Sequence, residues 1–592
     1  MDVAQANLLQ AQLIVEELRR QGIDHFVVCP GSRSTPLALA LSLESRVAKI
    51  VHQDERGAGY FAAGYARATG RPAVVVTTSG TATANLYPSV IESSNDRIPL
   101  IVVTADRPTE LRNCGANQTI DQVNLYGRYP RFFAELPCPD DCENRADILA
   151  TVDTALVQAL GSDDGPGPVH LNCPFRKPLA PSPEETGSLN MLDLLVDPNL
   201  SAWAESDQPL SALVAVPDEM PGESARALAA AVRKTDNGLL IIGRLDSLNE
   251  RQEALHLSKA LGWPSLIDIT SGLAMTSGPN LIRAHDLVLS SEKFRKGHPT
   301  DMVIHVGGRF VSKRLLQYLR ETKPTVYLQN DQNGQKVDPA HVLTQMSTYD
   351  NVSFCSSLAY QLEQEAGESS SLASWRGAGE TTAKTIADRL EACDALSEPF
   401  IARTLSAWQS AATALFVASS MPVRDLDTFA ASSSGLVPVG ANRGTSGIDG
   451  TIASACGFAV GLGQPTTLLT GDQALLHDLN SLSLATSLPI PLTIVVINNN
   501  GGRIFEMLPI AAHTEALESF FVAPHDLTFE KIAGGFGLPY LKADSRESFA
   551  AAYKRAIESR ATTVVEAIVD PEVSGKHRVD IGEAVRRALE AR

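Results

Sequence analysis

Two short apolar runs in the last third of the chain, residues 466–469 and 492–497, each lead into side chains that could hold a metal ion. The first is followed by Gly471-Asp472 and the second by Asn498-Asn499-Asn500-Gly501-Gly502. Asp472 and Asn499 lie 27 residues apart, room for one crossover helix. If the runs are neighbouring strands, a carboxylate and an amide oxygen converge on one point. Together with the Gly501 carbonyl they suit Mg²⁺, which keeps water and phosphate oxygens as further ligands. Mn²⁺ accepts the same donors. Gly501 and Gly502 would let the backbone approach a diphosphate. Gly-Asp and Asn-Gly are also ordinary turn pairs, so the spacing alone leaves both readings open. Far upstream, Glu55 opens a Gly- and Ala-rich helical pattern (57–70), followed by the apolar run 73–77 and the turn Thr78-Ser79-Gly80-Thr81. Taken singly, a glutamate at a helix start is a favourable dipole contact.

These residues need strands to place them. Apolar runs at 26–29, 73–77, 100–104, 239–242, 303–306, 466–469 and 492–497 are each followed by Gly, Ser or Asn and then by a helical pattern. Continuous apolar strands alternating with helices predict parallel sheets covered on both faces, with ligands at the carboxyl ends of the strands. Eight prolines fall within residues 174–221, about three times the density of the whole chain, and mark a linker. A second break, rich in Ser, Gly and Glu, lies near 367–379. The expected architecture is α/β, with three doubly wound parallel-sheet domains: 1–180, a Pro-rich linker at 181–225, a central domain at 226–365, and a last domain at 380–592. No short-period repeat is present.

Composition narrows the function. The chain has 592 residues, 50 basic and 68 acidic, for a net charge of −18. That balance argues against a nucleic-acid partner and against binding to an anionic membrane. No apolar stretch approaches the roughly 20 residues of a membrane helix. Residues 1–20 carry Asp2, Glu16 and Glu17 and lack the pattern of a signal peptide. The eight cysteines are scattered and read as reduced thiols, so the expected location is cytoplasmic. No Gly-x-Gly-x-x-Gly follows any of the apolar runs, which ranks a dinucleotide dehydrogenase last among the readings.

Gly-Asp followed about thirty residues later by Asn-Asn, beyond an apolar strand, resembles the thiamine-diphosphate motif. The segment His52 to Ala58 resembles the matching pyrimidine-binding domain, with Glu55 at the position of its activating glutamate. Four further segments sharpen the likeness: Cys29-Pro30-Gly31-Ser32-Arg33-Ser34-Thr35-Pro36, Cys114-Gly115-Ala116-Asn117-Gln118, Ser312-Lys313-Arg314-Leu315-Leu316 and Asn442-Arg443-Gly444-Thr445-Ser446-Gly447-Ile448-Asp449-Gly450. They are similar to the 2-succinyl-5-enolpyruvyl-6-hydroxy-3-cyclohexene-1-carboxylate synthase family, and the similarity is least clear from about 180 to 300.

The resemblance implies thiamine diphosphate and Mg²⁺ as cofactors, with Asp472, Asn499 and Gly501 on the metal. It implies decarboxylation of 2-oxoglutarate and conjugate addition of the succinyl carbanion to isochorismate, in menaquinone or phylloquinone synthesis. Glu55 is implied to hydrogen-bond the pyrimidine N1′, favouring the imino tautomer whose N4′ takes the C2 proton. Ile448 is implied as the prop between the cofactor's rings, Gly471 as a cofactor contact, and Ile504, Phe505 and Leu508 as pocket lining. The domain order becomes pyrimidine-binding, central and diphosphate-binding. The family further implies a homodimer or dimer of dimers, with Glu55 and the metal loop contributed by different subunits.

The residues agree with dicarboxylate substrates. An acidic protein repels such anions, so a local basic funnel is needed. Arg33, Arg107, Lys313, Arg314, Arg424 and Arg443 follow apolar runs or lie on the helices these open, and arginine forks bind carboxylates bidentately. Ser32, Asn117, Gln118 and Ser420 add neutral donors. The resemblance assigns Ser420 and Arg424 to the succinyl side, and Arg33, Arg107, Lys313 and Arg314 to isochorismate. The rival readings are a pyruvate-using carboligase such as an acetolactate synthase, against which the basic cluster argues, and a thiamine-binding regulatory protein, which would not need Glu55.

Overall fold

The computed structural model describes residues 1–592 apart from 143, 162–163, 189–190, 192–194, 196, 214–217 and 364–366. The chain divides into two compact units: residues 1–216, 449–462 and 478–487, and residues 217–448, 463–477 and 488–592.

The first unit holds one six-stranded sheet: β1 (His25–Val28), β2 (Ala48–Val51), β3 (Ala73–Thr77), β4 (Leu100–Asp106), β5 (Phe132–Glu135) and β6 (Pro168–Pro174), in the order β2-β1-β3-β4-β6-β5. The second unit holds two. One is built from β7 (Gly238–Ile242), β8 (Ser265–Ile267), β9 (Leu281–Ile282), β10 (Met302–Val306), β11 (Val326–Asn330) and β12 (Gln345–Ser347), ordered β12-β11-β10-β7-β8-β9. The other comprises β13 (Ala414–Val417), β14 (Val439–Gly440), β15 (Thr466–Gly471), β16 (Leu492–Asn498), β17 (Tyr540–Ala543) and β18 (Thr563–Ile568), ordered β14-β13-β15-β16-β18-β17. Every pairing between these strands is parallel. The three parallel sheets expected from the apolar runs are therefore present. β3, β4, β7, β10 and β16 are buried at every residue because helices cover both faces. Each buried Val or Ile contributes about 1.5–3 kcal/mol.

The first and last sheets share one strand order, which reverses between β1 and β3 and between β13 and β15. At such points the loops diverge and leave a crevice at the strands' carboxyl ends. The middle sheet has the order of a dinucleotide-binding fold, but its reversal point is shut. A Cβ on Gly243, after β7, would collide with the Gly308 carbonyl after β10, so no gap for a diphosphate lies between them.

The helix Glu55–Thr69 starts on Asp54, whose side chain accepts from the Arg56 N–H at 3.0 Å, and stops at Gly70 in the left-handed region (φ 69°). Its small residues are partly covered by the same chain. Gly64 abuts the Ser454 carbonyl, and Gly457 on the helix Thr451–Leu462 abuts that of Phe61, leaving no room for a Cβ at either glycine.

Part of the expected linker 181–225 lies outside the described residues. The described portion is no free tether: Leu200 and Trp203 are buried with Leu9, Leu13 and Leu149. Nor does the chain break throughout 367–379, since a helix runs Leu372–Glu391. Trp375 anchors it by packing edge-on against Phe294 at 4.9 Å, and such burial outweighs the weak helix propensity of Gly377 and Gly379. Among the described residues no helix is long and apolar enough to cross a membrane.

Candidate active site

β15 and β16 are adjacent, with Gly471 in register with Ile497, so Asp472 and Asn499 leave the sheet side by side. Asp472 is buried. Its Oδ1 accepts from Gln473 N at 2.6 Å and its Oδ2 from Gly501 N at 2.9 Å. Burial raises its pKa, against the pull of these N–H donors. Asn499 donates Nδ2–H to Glu398 Oε1 at 2.8 Å, so its Oδ1 is the atom left to accept. Gly501 has φ 130°, and a Cβ there would strike the Val522 carbonyl, so only glycine fits. Asn500 sits at φ 60° and fastens the loop by accepting from His525 N and Asp526 N at 3.0 and 2.8 Å. Two buried oxygen donors, a backbone carbonyl and a cradle restricted to glycine fit a hard divalent cation bearing a diphosphate.

These groups line a cleft of about 410 Å³. Ile448, Ile504, Phe505 and Leu508 form apolar wall in the same cleft, Gly471 contributes backbone, and Ser420, Arg424 and Arg443 bring polarity. Ser420 ends the turn after β13 at φ 72°, ψ −128°, a strained conformation for a residue other than glycine. From there the helix Met421–Phe429 carries Arg424, which donates back to the Ser420 carbonyl. Burial, and then the like charge of Arg443, lower the Arg424 pKa. Two repelling guanidiniums in one cleft favour an anion between them.

A second cleft of about 670 Å³ shares Met421, Arg424, Ile504 and Leu508 with the first and is lined also by Lys313 and Arg314. Arg314 is ion-paired with Asp286, which offsets one of the six expected cations. Asp286 also accepts from Ser312 Oγ at 2.7 Å, at the start of the helix Lys313–Thr322.

In the first unit, Arg33, Arg107, Asn117 and Gln118 gather about the turn after β3. Arg33 N donates to Thr78 Oγ1 at 3.1 Å and its Nη1 to the Phe175 carbonyl at 2.7 Å, while its buried Nε has no hydrogen-bond partner among the described residues. Arg107 bonds Ser79 Oγ and, at 2.7 Å, the Asn117 carbonyl; Gln118 Nε2 reaches the Ser79 carbonyl at 3.1 Å. Burial, and then Arg107, lower the Arg33 pKa. Ser32 is exposed at the head of the same loop. Glu55 begins its helix beside Asn85, which donates to Oε2 at 3.2 Å. Sequence reasoning missed Glu398, Asp425 and Arg578. The pattern Ser397-Glu398-Pro399 marks a helix start but does not point Glu398 to the cleft.

Such a fold, with an oxygen-lined loop at the carboxyl end of one sheet and an arginine-lined turn at that of another, is that of a thiamine-diphosphate-dependent enzyme. Domain models agree: residues 10–125 match the N-terminal binding domain of thiamine pyrophosphate enzymes, 197–417 the middle domain, and 436–567 the C-terminal binding domain. Over its full length the chain is 41% identical to a 2-succinyl-5-enolpyruvyl-6-hydroxy-3-cyclohexene-1-carboxylate synthase of Salinibacter ruber, 98% of which is covered. It is 42% identical to that of Rubrobacter xylanophilus (95% of this chain, 96% of the relative) and 37% to that of Chlorobium phaeobacteroides (96% and 95%). The chain belongs to this synthase family.

Proposed function

We propose that this chain joins 2-oxoglutarate to isochorismate with release of CO₂, the succinyl transfer that menaquinone and phylloquinone synthesis require. The observation carrying this reading is one cleft in which the Asp472, Asn499 and Gly501 oxygens stand with Arg424 and Arg443. Bound thiamine diphosphate supplies the electron sink for decarboxylation. Asp472, Asn499 and the Gly501 carbonyl would hold Mg²⁺ or Mn²⁺, and through it the diphosphate. Ile448, Ile504, Phe505 and Leu508 would support the rings and keep water out, which strengthens every charge–charge contact inside. Arg424, with Ser420, would grip the distal carboxylate of 2-oxoglutarate. Arg33, Arg107, Asn117, Gln118 and Ser32, with Lys313, Arg314 and Arg443, would orient the dicarboxylate acceptor. Glu55 would hold a proton toward the pyrimidine N1′.

The working form is a homodimer or a dimer of dimers in the cytoplasm, each site combining Glu55 of one subunit with the metal loop of another. The domain reading stands with it: 1–180 pyrimidine-binding, 226–365 central and 380–592 diphosphate-binding. The test is CO₂ release from 2-oxoglutarate with thiamine diphosphate and Mg²⁺, with and without isochorismate, for wild type and Glu55→Gln. Stimulation by isochorismate that falls at least ~100-fold in the variant is expected, the usual scale of a lost proton-transfer group. Turnover of pyruvate would instead make the protein a different carboligase. Tight cofactor binding without turnover of either acid would make it a binding protein.

A further inference from the structure

The wall between the two clefts is a chain of charges. Glu398 lines the first cleft, and Asp425 and Arg578 line the second. Both carboxylates are 1% exposed. Arg578, on the helix Pro571–Glu590, spans them: Nε and Nη2 reach Asp425 at 2.9 and 2.6 Å, and Nη2 also bonds Glu398 Oε2. The other oxygen of Glu398, Oε1, accepts from Asn499 Nδ2 at 2.8 Å. Four separate elements are tied in series, from the loop after β16 to the helix that carries Arg424.

An asparagine amide presents oxygen or nitrogen to a given side by a half-turn of its terminal group, and a cation binds only the oxygen. An ionised carboxylate accepts and cannot donate, so against Glu398 only the NH₂ of Asn499 is tolerated. The second oxygen of Glu398 is already taken by the Arg578 guanidinium, which holds the carboxyl group in place with Oε1 turned to the amide. We infer that Glu398, held by Arg578, is a positioning residue that fixes the Asn499 amide with Oδ1 toward the metal. The inference rests on the metal assignment above and adds the residue that selects the amide's orientation.

Mn²⁺ binding in the presence of thiamine diphosphate, read from the electron paramagnetic resonance signal of free Mn²⁺, tests it without turnover. Glu398→Gln keeps the shape but can donate as well as accept, so it releases the amide to flip. It should weaken Mn²⁺ about 10–100-fold, the usual scale for a group that orients a metal ligand. Asn499→Asp offers oxygen on both sides and needs no orienting, but it faces Glu398 with a like charge. In the Asn499→Asp background, therefore, Glu398→Gln should strengthen Mn²⁺ binding. Reversal of sign between the two backgrounds supports the role. Equal binding by wild type and Glu398→Gln, or weakening in both backgrounds, overturns it. Should Glu398→Gln alone not fold, the comparison in the Asn499→Asp background decides by itself. Failure of the metal assignment is separately visible, as wild-type binding indifferent to thiamine diphosphate and to Asp472→Asn.

Discussion

Ser420 illustrates how a single residue can be held against its own preference. Its φ of 72° and ψ of −128° belong to glycine's territory, and the turn it makes aims Arg424 into both clefts. Ser420→Gly should stabilise the fold by about 1 kcal/mol through relief of strain, less the entropy that glycine adds to the unfolded chain. The same change removes the hydroxyl assigned to the succinyl side, so the KM for 2-oxoglutarate should rise severalfold. Thermal unfolding and steady-state kinetics on one preparation check the pair; a destabilised variant with unchanged KM would contradict both halves. The family resemblance pointed to this residue, whereas local context placed Asp472, Asn499 and Gly501 at strand ends, because each follows an apolar run by two to four positions. Glu398 and Arg578 were not legible. Their partners, Asn499 and Glu398, lie 101 and 180 residues away, and no local pattern announces a contact made at that range.

The same distinction governs whole elements. Runs such as 73–77 and 492–497 coincide with β3 and β16 to within a residue because strands buried on both faces cannot tolerate polar interruptions. The helix Leu372–Glu391 was hidden because composition suggested a break while Trp375 and Ala378 supply the anchors. The strap around Trp203 was hidden because prolines dominate its pattern and its hold is tertiary. Glu17 accepts from Trp203 Nε1 and from Leu210 N, both at 2.6 Å, and Asp153 accepts from Ser211 N at 2.9 Å. Burial and then the bond to Asp153 push Glu17 up to about 7 from an ordinary 4.5. A carboxyl whose pKa is raised on folding binds its proton more tightly when native. Its contribution is therefore complete below about pH 4.5 and is lost as pH climbs to about 7. Glu17→Gln stays neutral and should lose less stability than wild type between about pH 5 and pH 8. Thermal unfolding across that range gives the difference directly, and parallel pH profiles would rule the raised Glu17 pKa out.

At the scale of the molecule, the question is where one active site ends and the next begins. A net charge of −18 keeps copies apart, whereas the proposed assembly must bring two together. In that proposed assembly, Glu55 of one subunit would work with the Asp472–Gly501 loop of another. The small residues of the helix Glu55–Thr69 do not settle the matter, since Gly64 is already in contact with Ser454 of the same chain. Mixing does. Glu55→Gln and Asp472→Asn chains should each be inactive as pure assemblies. If sites are shared across an isologous dimer, a hybrid has one site with both changes and one with neither. With random pairing, half the dimers are hybrids and half their sites are intact, so co-expressed chains should recover about a quarter of wild-type activity. If each chain completes its own site, every site in the mixture carries one change, and purified hybrids should be as inactive as either parent.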